Sequence, residues 1–232
     1  MVTAPTLNLR DQSIRPLICS IPYPVSVCND ATSGGYAEWY VQQDSDCMVY
    51  ISLEGGVGGA ILMNGVPYTG LNGRSGEFGH ICVQPEGLSC KCGLRGCLEA
   101  YCSATGVART AREFLEKSDE PSLLREIKPE DITSYEVSIA ASKGDVLAKR
   151  VYDFTGKMLG EACADFAAFA SPEAFVFFGG LTKAGDLLMK PLKESYDNAV
   201  LPIFKGKAKF LVSTLDGSSA AVLGASAVGW DM

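Results

Sequence analysis

The chain has 232 residues, 47% of them hydrophobic, with 20 basic against 27 acidic side chains and a formal net charge of −7. That length can bury a substantial core as one large domain or two smaller ones, so stability need not rest on disulfides. The acidic balance excludes direct nucleic-acid reading by this polypeptide, because a phosphate backbone needs a basic surface, and no apolar run approaches the roughly 20 residues that cross a bilayer.

Residues 1–24 hold four prolines and little periodicity, which predicts a connecting segment with one short helix over 13–20. YPVSVCND, residues 23–30, predicts a short buried strand ending in Asn29 and Asp30, at the mouth of a helix over 31–40. CMVYISL (47–53) and GGAILMNGVPYTG (58–70) predict an antiparallel ribbon around the glycine-rich turn EGGVGG, and Asn64-Gly65 marks a tight hairpin. Apolar residues then recur at helical spacing over 103–117, 134–142 and 146–170, with a polar linker over 118–131. SPEAFVFFGGLTKAGDLLMKPLKESYDNAV is strand, Gly-Gly turn and helix, and KFLVSTLDGSSAAVLGASAVG repeats strand, polar turn and small-residue helix. This alternation belongs to an α/β layered fold.

Nine cysteines is an odd number, and residues 1–20 lack the basic start and apolar core of a secretory signal. A reducing, cytoplasmic setting with thiols free or metal-bound is expected. Between residues 76 and 104, in GEFGHICVQPEGLSCKCGLRGCLEAYCSA, the chain's only histidine and three cysteines occur as H(x9)CxC(x4)C: His80, Cys90, Cys92 and Cys97. Such a stretch can be a disulfide staple, a set of packed thiols or a metal clip. Three thiolates and an imidazole complete a tetrahedral zinc shell, with Gly93 and Gly96 letting the backbone wrap, and a closed shell makes zinc structural rather than catalytic. The other cysteines (Cys19, Cys28, Cys47, Cys82, Cys102 and Cys163) lack such spacing and are expected to be ordinary buried thiols.

GEFGH followed by CxCGxxGCLE resembles the signature of the ROK family, whose name joins repressors, open reading frames and sugar kinases. PVSVCND, GGVGGAILMNG, SPEAFVFFGGL and STLDGSSAAVLGAS extend the resemblance across nearly the whole chain. It implies an actin-like ATPase fold, ribonuclease H-like and hexokinase-like, with sugar held in a cleft between lobes. It implies sugar contacts by Asn29, Asp30, Glu77, His80 and Glu99, and zinc contacts by His80, Cys90, Cys92 and Cys97. It implies further that Gly56, Gly58, Gly59, Gly179 and Gly180 face ATP. His80 serves both sets through its two ring nitrogens. In a kinase Asp30 would be the base that takes the proton of the attacking sugar hydroxyl; as a bare residue at a helix start it is equally an N-cap.

Two departures from the kinase pattern bear on function. No DxGGT phosphate loop occurs anywhere in the sequence, so most of a first lobe, on the order of 75–100 residues, is expected to be missing. The expected division is a lobe remnant over 1–40 with the Asn-Asp pair, a ROK lobe over 41–215 with its zinc loop at 77–99, and a closing helix over 216–232 that packs back. The family's second loop, GTGxGGG in kinases, here reads EGGVGGA from Glu54 to Ala60. It loses a threonine donor at Gly55 and gains a negative charge at Glu54, beside where phosphate would sit. ROK repressors share the sugar cleft and zinc clip, often with an altered phosphate loop. The resemblance therefore implies the effector-binding part of a carbohydrate-responsive transcriptional regulator, most simply a homodimer whose DNA reader lies elsewhere. The alternative is an ATP- and Mg²⁺-dependent hexose or N-acetylhexosamine kinase, and a third reading is a folded remnant without activity of its own.

Overall fold

The computed structural model describes residues 2–4, 9–42, 45–71 and 73–230. Strands β1 (Val2–Ala4) and β2 (Leu9–Gln12) form a small antiparallel pair, followed by the single-turn helix α1 (Arg15–Ile18), shorter than the 13–20 expected. Helix α2 (Asp30–Gln42) comes next, then strands β3 (Cys47–Leu53), β4 (Val57–Met63) and β5 (Val66–Pro67). Helices α3 (Glu99–Cys102), α4 (Ala104–Lys117), α5 (Ser134–Ser142) and α6 (Val146–Ala170) follow the cysteine loop. Strand β6 (Ala174–Phe178), helix α7 (Asp186–Ala199), strand β7 (Lys209–Val212) and helix α8 (Gly217–Trp230) complete the order. The linker expected over 118–131 is not wholly irregular, since it carries two 3₁₀ turns, Leu123–Glu126 and Pro129–Asp131.

Residues 23–29 form no strand and lie exposed, against the expectation of a buried one. Their apolar alternation is strand-like, but no strand lies beside them among the described residues, and Pro22 and Pro24 supply no N–H for a ladder.

The main sheet has the order β5-β4-β3-β6-β7, antiparallel on one side of β3 and parallel on the other. Asn64 and Gly65 take positive φ in the β4–β5 turn, as a two-residue hairpin of this type requires. Side chains alternate across β3. Val49, Ile51 and Leu53 join a large core with α3 to α7, while Met48 and Tyr50 join a smaller one with α2 and α8. β6 follows the same rule, with Phe175 and Phe177 on the first face and Val176 and Phe178 on the second. The result is three layers, helix, sheet and helix, with β3 and β6 ending side by side at Ser52 and Phe178. The mouth between the carboxyl ends of adjacent strands is where open α/β sheets form ligand crevices.

Candidate functional site

The cysteine loop hangs from two buried anchors. Phe78, in the 3₁₀ turn Phe78–His80, packs against Phe166 of α6 in a tilted pair with ring centroids 4.3 Å apart, and fully buried Leu98 donates its N–H to the Ile81 carbonyl at 3.0 Å. Tyr101 of α3 accepts the Leu88 N–H at 2.8 Å, tying the loop's middle to the same base. Gly96 has φ +73°, and a Cβ there would run into the Gln84 carbonyl, so no other residue fits this fold-back.

This scaffold gathers one ligand atom each from His80, Cys90, Cys92 and Cys97 to within 4.8 Å of one another. His80 Nδ1 lies 3.8 Å from Cys90 Sγ, and Cys92 Sγ lies 3.6 Å from Cys97 Sγ. Those separations are close to the about 3.8 Å edge of a tetrahedron with zinc–sulfur bonds of about 2.3 Å. Burial, joined by hydrogen bonds with Cys92 and Cys90, pushes the Cys97 thiol up to about 12. Burial also raises Cys90, whereas at Cys92 hydrogen bonds from the Leu94 N–H and the other two thiols outweigh burial and lower it. A divalent cation held there would resolve this competition by displacing the thiol protons. The donor set and its spacing fit a metal ion.

Beside the clip is a cleft of about 530 Å³. It brings together Asn29, Asp30, Glu77, His80 and Glu99, with Gly56 of the β3–β4 turn and Gly58 and Gly59 at the start of β4 also lining it. Gly179 and Gly180 do not line it; Gly179 backs the turn instead, and a Cβ there would lie 2.7 Å from Glu54 Cγ. His80 presents its second nitrogen, Nε2, toward Glu77, with 3.9 Å between Nε2 and Oε2. Glu99 accepts the Val57 N–H through Oε2 at 3.1 Å and reaches Cys90 Sγ with Oε1 at 3.9 Å, so it bridges clip and turn.

Asn29 is the cap of α2: its Oδ1 accepts the N–H groups of Ala31 and Thr32 at 2.9 and 3.2 Å. Asp30, the other candidate for that duty, is the first helical residue, and among the described residues its carboxylate accepts the Ala31 N–H alone, at 2.9 Å. A neighbouring cap thus leaves the Asp30 carboxylate with oxygen lone pairs open to the cleft.

Comparison with known proteins places the chain. The ROK family matches residues 4–230. The chain belongs to the ROK family. It is 41% identical to a glucokinase of Halalkalibacterium halodurans over 89% of its own length and 63% of the relative's. It is 30% identical to NagC of Escherichia coli, a DNA-binding transcriptional dual regulator, over 84% of its length and 47% of the relative's. Among solved structures, a ROK glucokinase from Streptomyces griseus in complex with glucose and AMPPNP superposes with a TM-score of 0.86 at 29% identity, covering 97% of this chain and 75% of that one. A ROK transcriptional regulator homologous to the Escherichia coli MLC protein superposes at 0.82 and 29% identity, covering 92% and 54%. The fold is therefore the hexokinase-like, actin-like one of ROK proteins, and the chain spans 63% of the length of the glucokinase relative. No helix among the described residues is long and apolar enough to cross a membrane.

Three thiols expected to be buried are exposed, Cys19, Cys28 and Cys82, and Cys47 is half-buried; only Cys102 and Cys163 fit that expectation. Cys19 and Cys28 fall on the N-terminal segment that lacks a covering layer, and Cys82 sits in the cysteine loop, where it forms an isolated antiparallel bridge with Cys97. Sequence reasoning passed over Tyr50 and Ser52, which also line the cleft. The available signal was period-two spacing: Tyr50, Ser52 and Glu54 share one parity at the end of β3.

Proposed function

We propose that this chain is the sugar-binding, effector-sensing part of a ROK transcriptional regulator of carbohydrate metabolism, impaired in phosphoryl transfer. The observation that carries this reading is the β3–β4 turn. Glu54 lines the cleft at the phosphate-loop position, and two amides flanking the turn are already engaged: the Glu54 N–H donates to the Gly56 carbonyl at 3.0 Å and the Val57 N–H to Glu99. A carboxylate beside committed donors is a poor phosphate site.

Sugar hydroxyls would be read by Asn29, Asp30, Glu77, His80 and Glu99, which between them offer carboxylate, amide and ring-nitrogen partners. The clip metal is zinc on this reading, in a closed shell that activates no water. His80 would give one nitrogen to the metal and keep the other for the sugar, so cleft occupancy bears on the clip's position. Sugar binding would shift the population toward a closed cleft, read by a DNA-binding part outside this chain. Residues 1–40, 41–215 and 216–232 would act as lobe remnant, ROK lobe and closing helix, in a cytoplasmic homodimer.

The kinase reading is favoured by the 41% identity to a glucokinase and by the open Asp30 carboxylate, with ATP and Mg²⁺ as cofactors and Gly179-Gly180 on the adenosine side. Incubation of the full-length protein with ATP, Mg²⁺ and a panel of hexoses and N-acetylhexosamines separates the two. The regulator reading expects sugar binding by calorimetry without turnover. Robust phosphorylation abolished by Asp30→Asn would sink it.

A further inference from the structure

The half of the cleft on the phosphate-loop side has a chemistry of its own. Tyr50 is only 2% exposed, yet it lines the cleft, and among the described residues no side chain or backbone group is seen to hydrogen-bond its hydroxyl. A Cβ on Gly34 would lie 2.7 Å from that hydroxyl. Gly34 is one helical turn beyond Asp30 on α2, and Tyr50, Gly34 and Asp30 all line the same cleft. Ser52 follows on the same face of β3, also lining the cleft, and Glu54 opens the turn beyond it. Phe178 forms the adjoining wall, its ring centroid 6.0 Å from that of Tyr50. Burial, together with the carboxylates of Glu38, Glu54 and Asp30, pushes the Tyr50 phenol well above its ordinary range. Four carboxylates, Asp30, Glu54, Glu77 and Glu99, line the cleft, and among the described residues no lysine or arginine does.

We infer that this half of the cleft is an ammonium subsite, in which Asp30, Glu54, Tyr50 and Ser52 take the protonated amine of an unacetylated amino sugar where a kinase would hold phosphate. An ammonium brings three N–H donors and one positive charge. The subsite offers two carboxylates, two hydroxyl oxygens and an aromatic face, which a cation within about 6 Å also favours. A phosphate meets like charge and finds no cationic partner. The inference rests on the sugar-binding reading above and specifies the class of sugar.

Calorimetry on the full-length protein tests it with matched sets built on glucose, mannose and galactose, each as the neutral sugar, its 2-amino and 6-amino derivatives, and its 6-phosphate. The expected result is that, in the set that binds, one amine binds about tenfold or more tighter than its neutral parent at low salt, that this advantage shrinks as NaCl rises, and that the 6-phosphate gives no binding. Glu54→Gln should bring the amine-to-parent ratio close to one, and Tyr50→Phe should lower it, in proteins whose melting temperatures and zinc contents show them folded. A neutral sugar that binds as tightly as its amines, a 6-phosphate that binds as well, or an amine advantage that survives Glu54→Gln would overturn the ammonium subsite and leave the sugar reading standing. Absence of binding by every sugar and amine would remove both.

Discussion

Asp145 joins two segments through one carboxylate. As the N-cap of α6 it accepts the Ala148 N–H at 2.9 Å, and it also accepts the Leu123 N–H at 2.6 Å and the Ser122 hydroxyl at 2.8 Å from the preceding linker. Burial disfavours its charge, but these donors outweigh that cost and hold the carboxyl below its usual range. A depressed folded-state value means stability that is fully present above the unfolded carboxylate value of about 3.9 and is lost as pH falls through the folded one. Asp145→Ala is therefore expected to cost roughly 1–2 kcal/mol at pH 7, and the gap to wild type should narrow in urea titrations at pH 3 and below. A gap that stays constant with pH would remove the charge from this account and leave only packing.

At the scale of elements, the firmest contact is between α6 and α7, where glycines set the distance. A Cβ on Gly156 would lie 2.7 Å from Pro191 Cγ, and one on Gly160 would meet the Leu192 carbonyl and lie 2.9 Å from the Tyr196 nitrogen. On an open helix, glycine to alanine gains about 1 kcal/mol of propensity. Overpacking costs about 1–3 kcal/mol and here pushes on backbone, so the clash wins. Gly160→Ala should lower the melting temperature, while Gly229→Ala in α8, with nothing within 4 Å of its would-be Cβ, should leave it unchanged or slightly raised. Equal shifts in both variants would mean the helices separate freely. These elements were legible in the sequence because each carries a local device: Asn64-Gly65 for the hairpin, the Thr133 and Glu136 capping box for α5, long 3.6-residue periodicity for α6. Residues 23–29 misled because alternation records a preference for a sheet without supplying a neighbouring strand. The clip residues stood out through residue type and spacing, since metal ligands within one loop are close in sequence. Tyr50 did not, because an apolar-looking strand residue shows its polar end only once α2 and the β3–β4 turn are folded over it.

For the whole molecule, the decisive feature is that clip and cleft share residues. His80 turns Nδ1 toward Cys90 and Nε2 toward Glu77, and Glu99 reaches Cys90 with one oxygen and the Val57 N–H with the other. Loss of the metal would therefore free two groups on the proposed sugar-reading wall, and not merely a distant loop. Equilibrium linkage makes this quantitative, because the factor by which the metal strengthens sugar binding must equal the factor by which sugar strengthens metal binding. Coupling of this kind usually lies in the range of about 5- to 150-fold. Protein purified without chelator is expected to hold one zinc per chain by elemental analysis. Removing it should weaken binding of whichever panel sugar is active by a factor in that range, measured by calorimetry. The same sugar at saturation should slow and weaken transfer of zinc to a chromophoric chelator, with the equilibrium shifted by a matching factor. Identical sugar affinity with and without zinc would show the clip to be a fold staple whose contacts with His80 and Glu99 carry no information to the cleft.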